Sequence, residues 1–160
     1  MAMNQSGAQI LLQSLEKKTQ LLDKMIEQNS VQEEILKQEE LDMDVFDEAI
    51  NKQGTYLEEL DRLDQGFEAV YDRVREELLQ DKSRYRAEIV RMKELIQQIT
   101  DKIVTINAGN MRNKTLAENQ FKKKRISIGA GSSKNKAARN YYNNMNNLNF
   151  VSPQFYDSKK

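Results

Sequence analysis

Between Tyr85 and Ile106 the side chains Tyr85, Ile89, Met92, Ile96, Ile99, Ile103 and Ile106 recur at alternating steps of four and three residues. That spacing holds them on one stripe of an α-helix, whereas a strand would scatter them over both faces. Arg91, Lys93, Glu94, Gln97, Gln98, Asp101 and Lys102 fill the intervening positions and face water. A lone helix is marginal in water, and burying an Ile or Leu is worth about 1.5–3 kcal/mol, so this stripe has to be covered by partner helices.

Two further stripes precede it. The first, from Ser6 or Gly7 to about residue 40, runs through Ala8, Leu11, Leu12, Leu15, Leu22, Met25, Ile26, Ile35 and Leu36, with Thr19 and Asn29 at positions where apolar residues are expected. An Asn inside such a seam reads as a register device. The run Leu41 to Asp44 interrupts the pattern, and acids near a positive helix end mark a new start there. The second stripe is Phe46, Ile50, Leu57, Leu60, Phe67, Tyr71, Val74 and Leu78, with Gln53 and Asp64 as polar entries. Gly54 and Gly66 lie inside this helix and either weaken it or admit a close neighbour. Near Asp81 the seam changes phase. Either a hairpin lies at Gln80 to Arg84 or one long helix passes through a stutter; the hairpin is favoured, because three helices can cover one another within a single chain.

Beyond Ile106 the third stripe thins through Ala108, Gly109 and Asn110 to Met111, Leu116, Ala117 and Phe121, so this extension should pack less firmly. From Ser127 the run Ile128 to Ser133 has linker composition. The expected fold is all-α, an elongated antiparallel helical bundle or coiled coil of about three long helices (6–40, 44–80 and 83–125). This body, 1–126, is followed by a flexible tail, 127–160.

Composition narrows the function. The 160 residues contain no Cys and no His, which removes disulfides, thiolate ligands, the commonest general base and the commonest metal ligand. No enzyme activity, cofactor or metal is expected. Adjacent carboxylates such as Glu33-Glu34 and Glu76-Glu77 point about 100° apart on a helix and do not converge. Gly129 and Gly131 lack the strand and the Lys-Ser or Lys-Thr ending of a phosphate loop. The first seven residues show no secretory signal, and no run approaches the roughly 20 apolar residues that cross a bilayer. A soluble, cytoplasmic protein is expected.

Charge is unevenly spread. Residues 111–160 hold eleven Lys and Arg against Glu118 and Asp157, a net of +9, and because the whole chain sums to zero, residues 1–110 carry −9. Lys122 to Arg125 with Tyr141 and Tyr142 would suit nucleic acid, by phosphate contact and stacking; favourable charge at the negative end of the third helix is the simpler account and is preferred, and attraction to an acidic partner is a third. The tail interleaves Asn with Tyr141, Tyr142, Met145, Leu148, Phe150 and Val151, followed by Pro153, Phe155 and Tyr156. Such a segment cannot form a core alone, yet its large apolar groups suit partner recognition.

The helix layout and the ending together resemble the bacterial flagellar export chaperones of the FlgN type. The resemblance rests on Leu11, Leu12, Leu15, Leu22 and Met25, on the Asp42 to Asp44 bend, on the long third helix and on the aromatic-Asp element Phe155-Tyr156-Asp157. The stretch Asn140 to Phe155 looks like this tail in clostridial relatives. The resemblance implies a chaperone that binds the terminal helices of hook-filament junction proteins, keeps them export-competent and meets export-gate components. Implied contact residues are Met111, Leu116, Phe121, Tyr141, Tyr142, Met145, Phe150, Phe155 and Tyr156. The rival expectation is a structural coiled-coil oligomer sealed along Tyr85 to Ile106, with weak self-association as its milder form.

Overall fold

The computed structural model describes residues 6–128, which form three α-helices: α1 (Gly7–Leu36), α2 (Met43–Gln80) and α3 (Arg86–Ile128). No strand occurs among them. The tail expected from Ser127 therefore lies, from residue 129 onward, outside the described residues.

Each helix boundary has a local cause. Ser6 caps α1: its Oγ accepts from the Gln9 N–H at 3.1 Å while Gln9 Oε1 accepts from the Ser6 N–H at 3.4 Å, a reciprocal capping box. α1 stops at Leu36, short of the expected residue 40, and a bend carries the chain to Asp42. Asp42 then caps α2 by accepting from the N–H groups of Asp44 and Val45 at 3.1 and 3.2 Å. The phase change near Asp81 proves to be a hairpin. Its turn at 81–85 needs neither Gly nor Pro, because Tyr85 is buried against the core and its hydroxyl donates to the Glu77 carboxylate across the turn.

Contacts fix the directions of the helices. Rising numbers in α2 meet falling numbers in α1 (Gln53 at Met25, Asp64 at Lys18), so α2 is antiparallel to α1. Rising numbers in α3 meet rising numbers in α1 (Lys102 at Asp23, Asn113 at Asn29, Gln120 at Leu36), so α3 is parallel to it. α1 lies centrally and approaches both other helices closely along its length. α2 and α3 meet mainly through long side chains, among them the edge-to-face rings of Phe46 and Phe121, 6.1 Å between centroids.

The seam that opened the sequence is covered inside this one chain. Tyr85, Met92, Ile96, Ile99, Ile103 and Ile106 are buried, Ile89 is partly so, and Leu95 joins them. Leu95 escaped the four-three pattern because a helix facing two neighbours buries a wider arc than one stripe. α1 shows the same effect: Leu21 and Leu22 are both buried, as are Lys18, Gln28 and Gln32, which no apolar pattern marks. No part of the described chain packs closely on Gly54 or Gly66, since a Cβ at either would meet nothing within 4 Å.

Candidate functional site

Two features of the bundle bear on function. The first is a layer of amides in the interior. Gln53 of α2 donates through Nε2 to the Met25 carbonyl at 3.0 Å and to Asn29 Oδ1 at 3.2 Å. Asn29 of α1 donates in turn to the Ile106 carbonyl at 3.2 Å, and Asn113 of α3 donates to the Asn29 carbonyl at 3.0 Å. All three helices are thereby joined through buried side-chain amides. Further along, Gln120 donates to the carbonyls of Leu36 and Gln38 at 2.9 and 2.7 Å, and Lys123 to that of Glu39 at 2.8 Å.

This layer changes how α3 is held. Up to Ile106 its inward positions are Ile, Leu, Met and Tyr; beyond Ile106, Ala117 is its one fully buried apolar residue among those described, with Leu116 and Phe121 partly buried. Gly109, Asn110, Asn113 and Gln120 are buried beside them. A buried Ile or Leu contributes about 1.5–3 kcal/mol and a net amide hydrogen bond about 0.5–1.5 kcal/mol, so the distal part of α3 is the more weakly attached. Asn110 sharpens the contrast: it is 1% exposed, and neither of its amide atoms has a protein partner.

The second feature is a groove of about 260 Å³ between α1 and α2, to which α3 contributes no residue. Ile10, Leu11, Leu63, Phe67 and Val70 form its apolar surface, and Lys17, Arg62 and Gly66 lie along it. Beside it Lys18 is 4% exposed and donates to Asp64 at 2.6 Å. Burial holds the Lys18 ammonium below its usual pKa, with the Asp64 carboxylate opposing that shift.

The sequence-derived contact residues fall in different places. Met111 is 65% exposed on the outer face of α3, whereas Leu116 and Phe121 turn inward against the core, Phe121 onto Phe46. Tyr141, Tyr142, Met145, Phe150, Phe155 and Tyr156 lie outside the described residues. Sequence reasoning picked out Asn29 and Gln53 as seam residues but missed their partners on α3. The signal was available in the spacing: Ile106, Asn110, Asn113, Ala117 and Gln120 continue the four-three steps of the seam with amides substituted. Among the described residues, no group of three or more His, Cys, Asp or Glu is placed to hold a metal, and no helix is long and apolar enough to cross a membrane. Comparisons with protein families, curated proteins and solved structures yield no match to this chain.

Proposed function

We propose that this chain is a flagellar export chaperone of the FlgN type, a cytoplasmic protein without catalytic activity that captures the terminal helices of hook-filament junction proteins and delivers them to the export gate. The observation that carries this reading is the amide layer. α3 is anchored by hydrocarbon up to Ile106 and by Asn and Gln beyond it, so its distal part can lift while the anchored part stays folded. Lifting uncovers Phe46, on which Phe121 packs, and the chain at Leu36, to which Gln120 bonds, apolar surface suited to an amphipathic client helix. Leu116 and Phe121 move with the segment and become available to the client, and the tail aromatics supply further contact. Displacing distal α3 on binding consumes part of the gross contact energy, which favours a complex that can be released at the gate.

The test is direct mixing of the purified chain with a purified junction protein, with and without that protein's terminal helices. A stable complex that requires those helices supports the reading. Absence of any complex at micromolar concentrations, or equal retention of the truncated protein, overturns it.

A second reading is a structural oligomer; because Tyr85 to Ile106 is covered within the chain, that stripe does not serve as its seam, and one other observation favours it. Val104 and Met111, 64% and 65% exposed, lie along the outer face of α3 with Ala108 between them. Light scattering at low concentration distinguishes the two, since a structural oligomer persists on dilution without client.

A further inference from the structure

We propose that the groove between α1 and α2 is a docking site for an amphipathic helix whose apolar stripe ends in an acidic residue. The proposal rests on the reading of the chain as a binder of client helices and adds to it a second contact, remote from the amide layer, with defined chemistry and polarity.

The groove is built along two turns of each wall. Because the walls are antiparallel, Ile10 and Val70 lie together at one end, while Lys17 and Arg62 lie together at the other, about 10 Å away at 1.5 Å per residue. Phe67 forms the middle and stacks on Tyr71, 6.1 Å between centroids, so its ring is held in place. An occupant must therefore be apolar over about two helical turns and carry negative charge at one end. α2 bears eleven acidic side chains against four basic ones, and Arg62, one of those four, stands with Lys17 of α1 at this end of the groove. Both cations are exposed, and neither is engaged in an ion pair among the described residues.

Gly66 is the second observation. It sits mid-helix on the groove wall, where glycine weakens a helix, yet a Cβ there would meet nothing within 4 Å. No part of the described chain fills the space above Gly66, as none does above Gly54; what sets Gly66 apart is its place on the groove wall, where a longer side chain would project into the groove.

The probe is a labelled synthetic helical peptide with Leu at helical-stripe spacing and a Glu pair at one end of the stripe, read by fluorescence anisotropy against the full chain; its control carries Lys in place of Glu. The wild-type chain is expected to bind the Glu peptide at least about tenfold tighter than the Lys peptide, an order-of-magnitude expectation for paired rim charges. Lys17→Glu with Arg62→Glu should reverse that preference. Gly66→Leu should abolish binding of both peptides without lowering Tm. Binding that ignores Gly66→Leu, an unreversed preference, or no binding by the wild-type chain each overturns the groove assignment. Capture of a junction protein that persists in Gly66→Leu would leave the chaperone reading standing while removing the groove from it; loss of capture already in the wild-type chain removes the reading itself.

Discussion

Asn29 of α1 and Gly109 of α3 approach so closely that a Cβ built on Gly109 would lie 2.8 Å from the Asn29 amide nitrogen and 3.4 Å from its Cβ. The glycine is thus what lets the amide reach the Ile106 carbonyl, 3.2 Å away, while Asn113 bonds the Asn29 carbonyl from the next turn. The central polar layer depends on this contact.

Two glycine substitutions should consequently have opposite signs. Gly66→Ala adds a methyl in open space and should raise stability by about 1 kcal/mol, the helix-propensity difference. Gly109→Ala gains the same propensity but displaces a buried amide, a loss of about 1–3 kcal/mol, so it should be neutral to destabilising by about 2 kcal/mol. Urea midpoints for the two variants measured together check the contrast; equal stabilisation by both would show that Asn29 does not hold α3.

Within the amide layer, the bonded and unbonded members should also part. Asn29→Ala removes one of the two acceptors of Gln53 and the side-chain donor to the Ile106 carbonyl, and should cost about 2 kcal/mol. Asn110→Ala removes two buried polar atoms that no protein group bonds and replaces Asn with a better helix former, so it should raise stability by about 1 kcal/mol. If distal α3 lifts in function, Asn110→Ala should also slow amide hydrogen exchange over residues 107–123 and weaken client capture. Faster exchange there in Asn110→Ala would contradict the mechanism.

Lys18 supplies a prediction in pH. Its pKa in the folded chain lies below the ordinary 10.5, with burial the main cause, so between the lowered value and 10.5 the unfolded chain holds a proton that the folded chain has released. Stability contributed by this residue therefore rises with pH through that window and is lowest beneath it. Lys18→Met, which removes the desolvation cost, should stabilise the protein at neutral pH, and the gap to wild type should narrow as pH climbs toward 10.5. Thermal melts of both chains at several pH values give the answer; a gap that widens with pH would reverse the assigned cause. Asp64→Ala should instead destabilise, by leaving the buried ammonium without that carboxylate.

Removal of residues 129–160 should leave the helical circular-dichroism signal of the three helices in place and, on the proposed function, which gives Tyr141, Tyr142, Phe150, Phe155 and Tyr156 to the client, should weaken capture of a junction protein. Collapse of the helical signal on truncation would make the segment part of the fold instead.

Local periodicity was enough to read three helices from this sequence, because amphipathic spacing records which side chains share a face, and that is a property of neighbours along one helix. The same spacing identified the Tyr85 to Ile106 seam, the interruption near Asp42 and Asn29 and Gln53 as polar seam members. The turn at 81–85 was ambiguous for a chemical reason: its closure uses Tyr85 and Glu77, which no turn signature includes.

What lay beyond the sequence was the choice of central helix and everything that follows from it. Only once α1 is flanked on two sides do Lys18, Gln28 and Gln32 become interior, and only then does Gly109 differ from Gly66, one pressed against Asn29 and the other bordering the α1–α2 groove. Burial is a relation between surfaces distant in the chain. A sequence specifies each surface, but which surfaces meet, and which are left facing water, is decided by the packing of whole helices against one another.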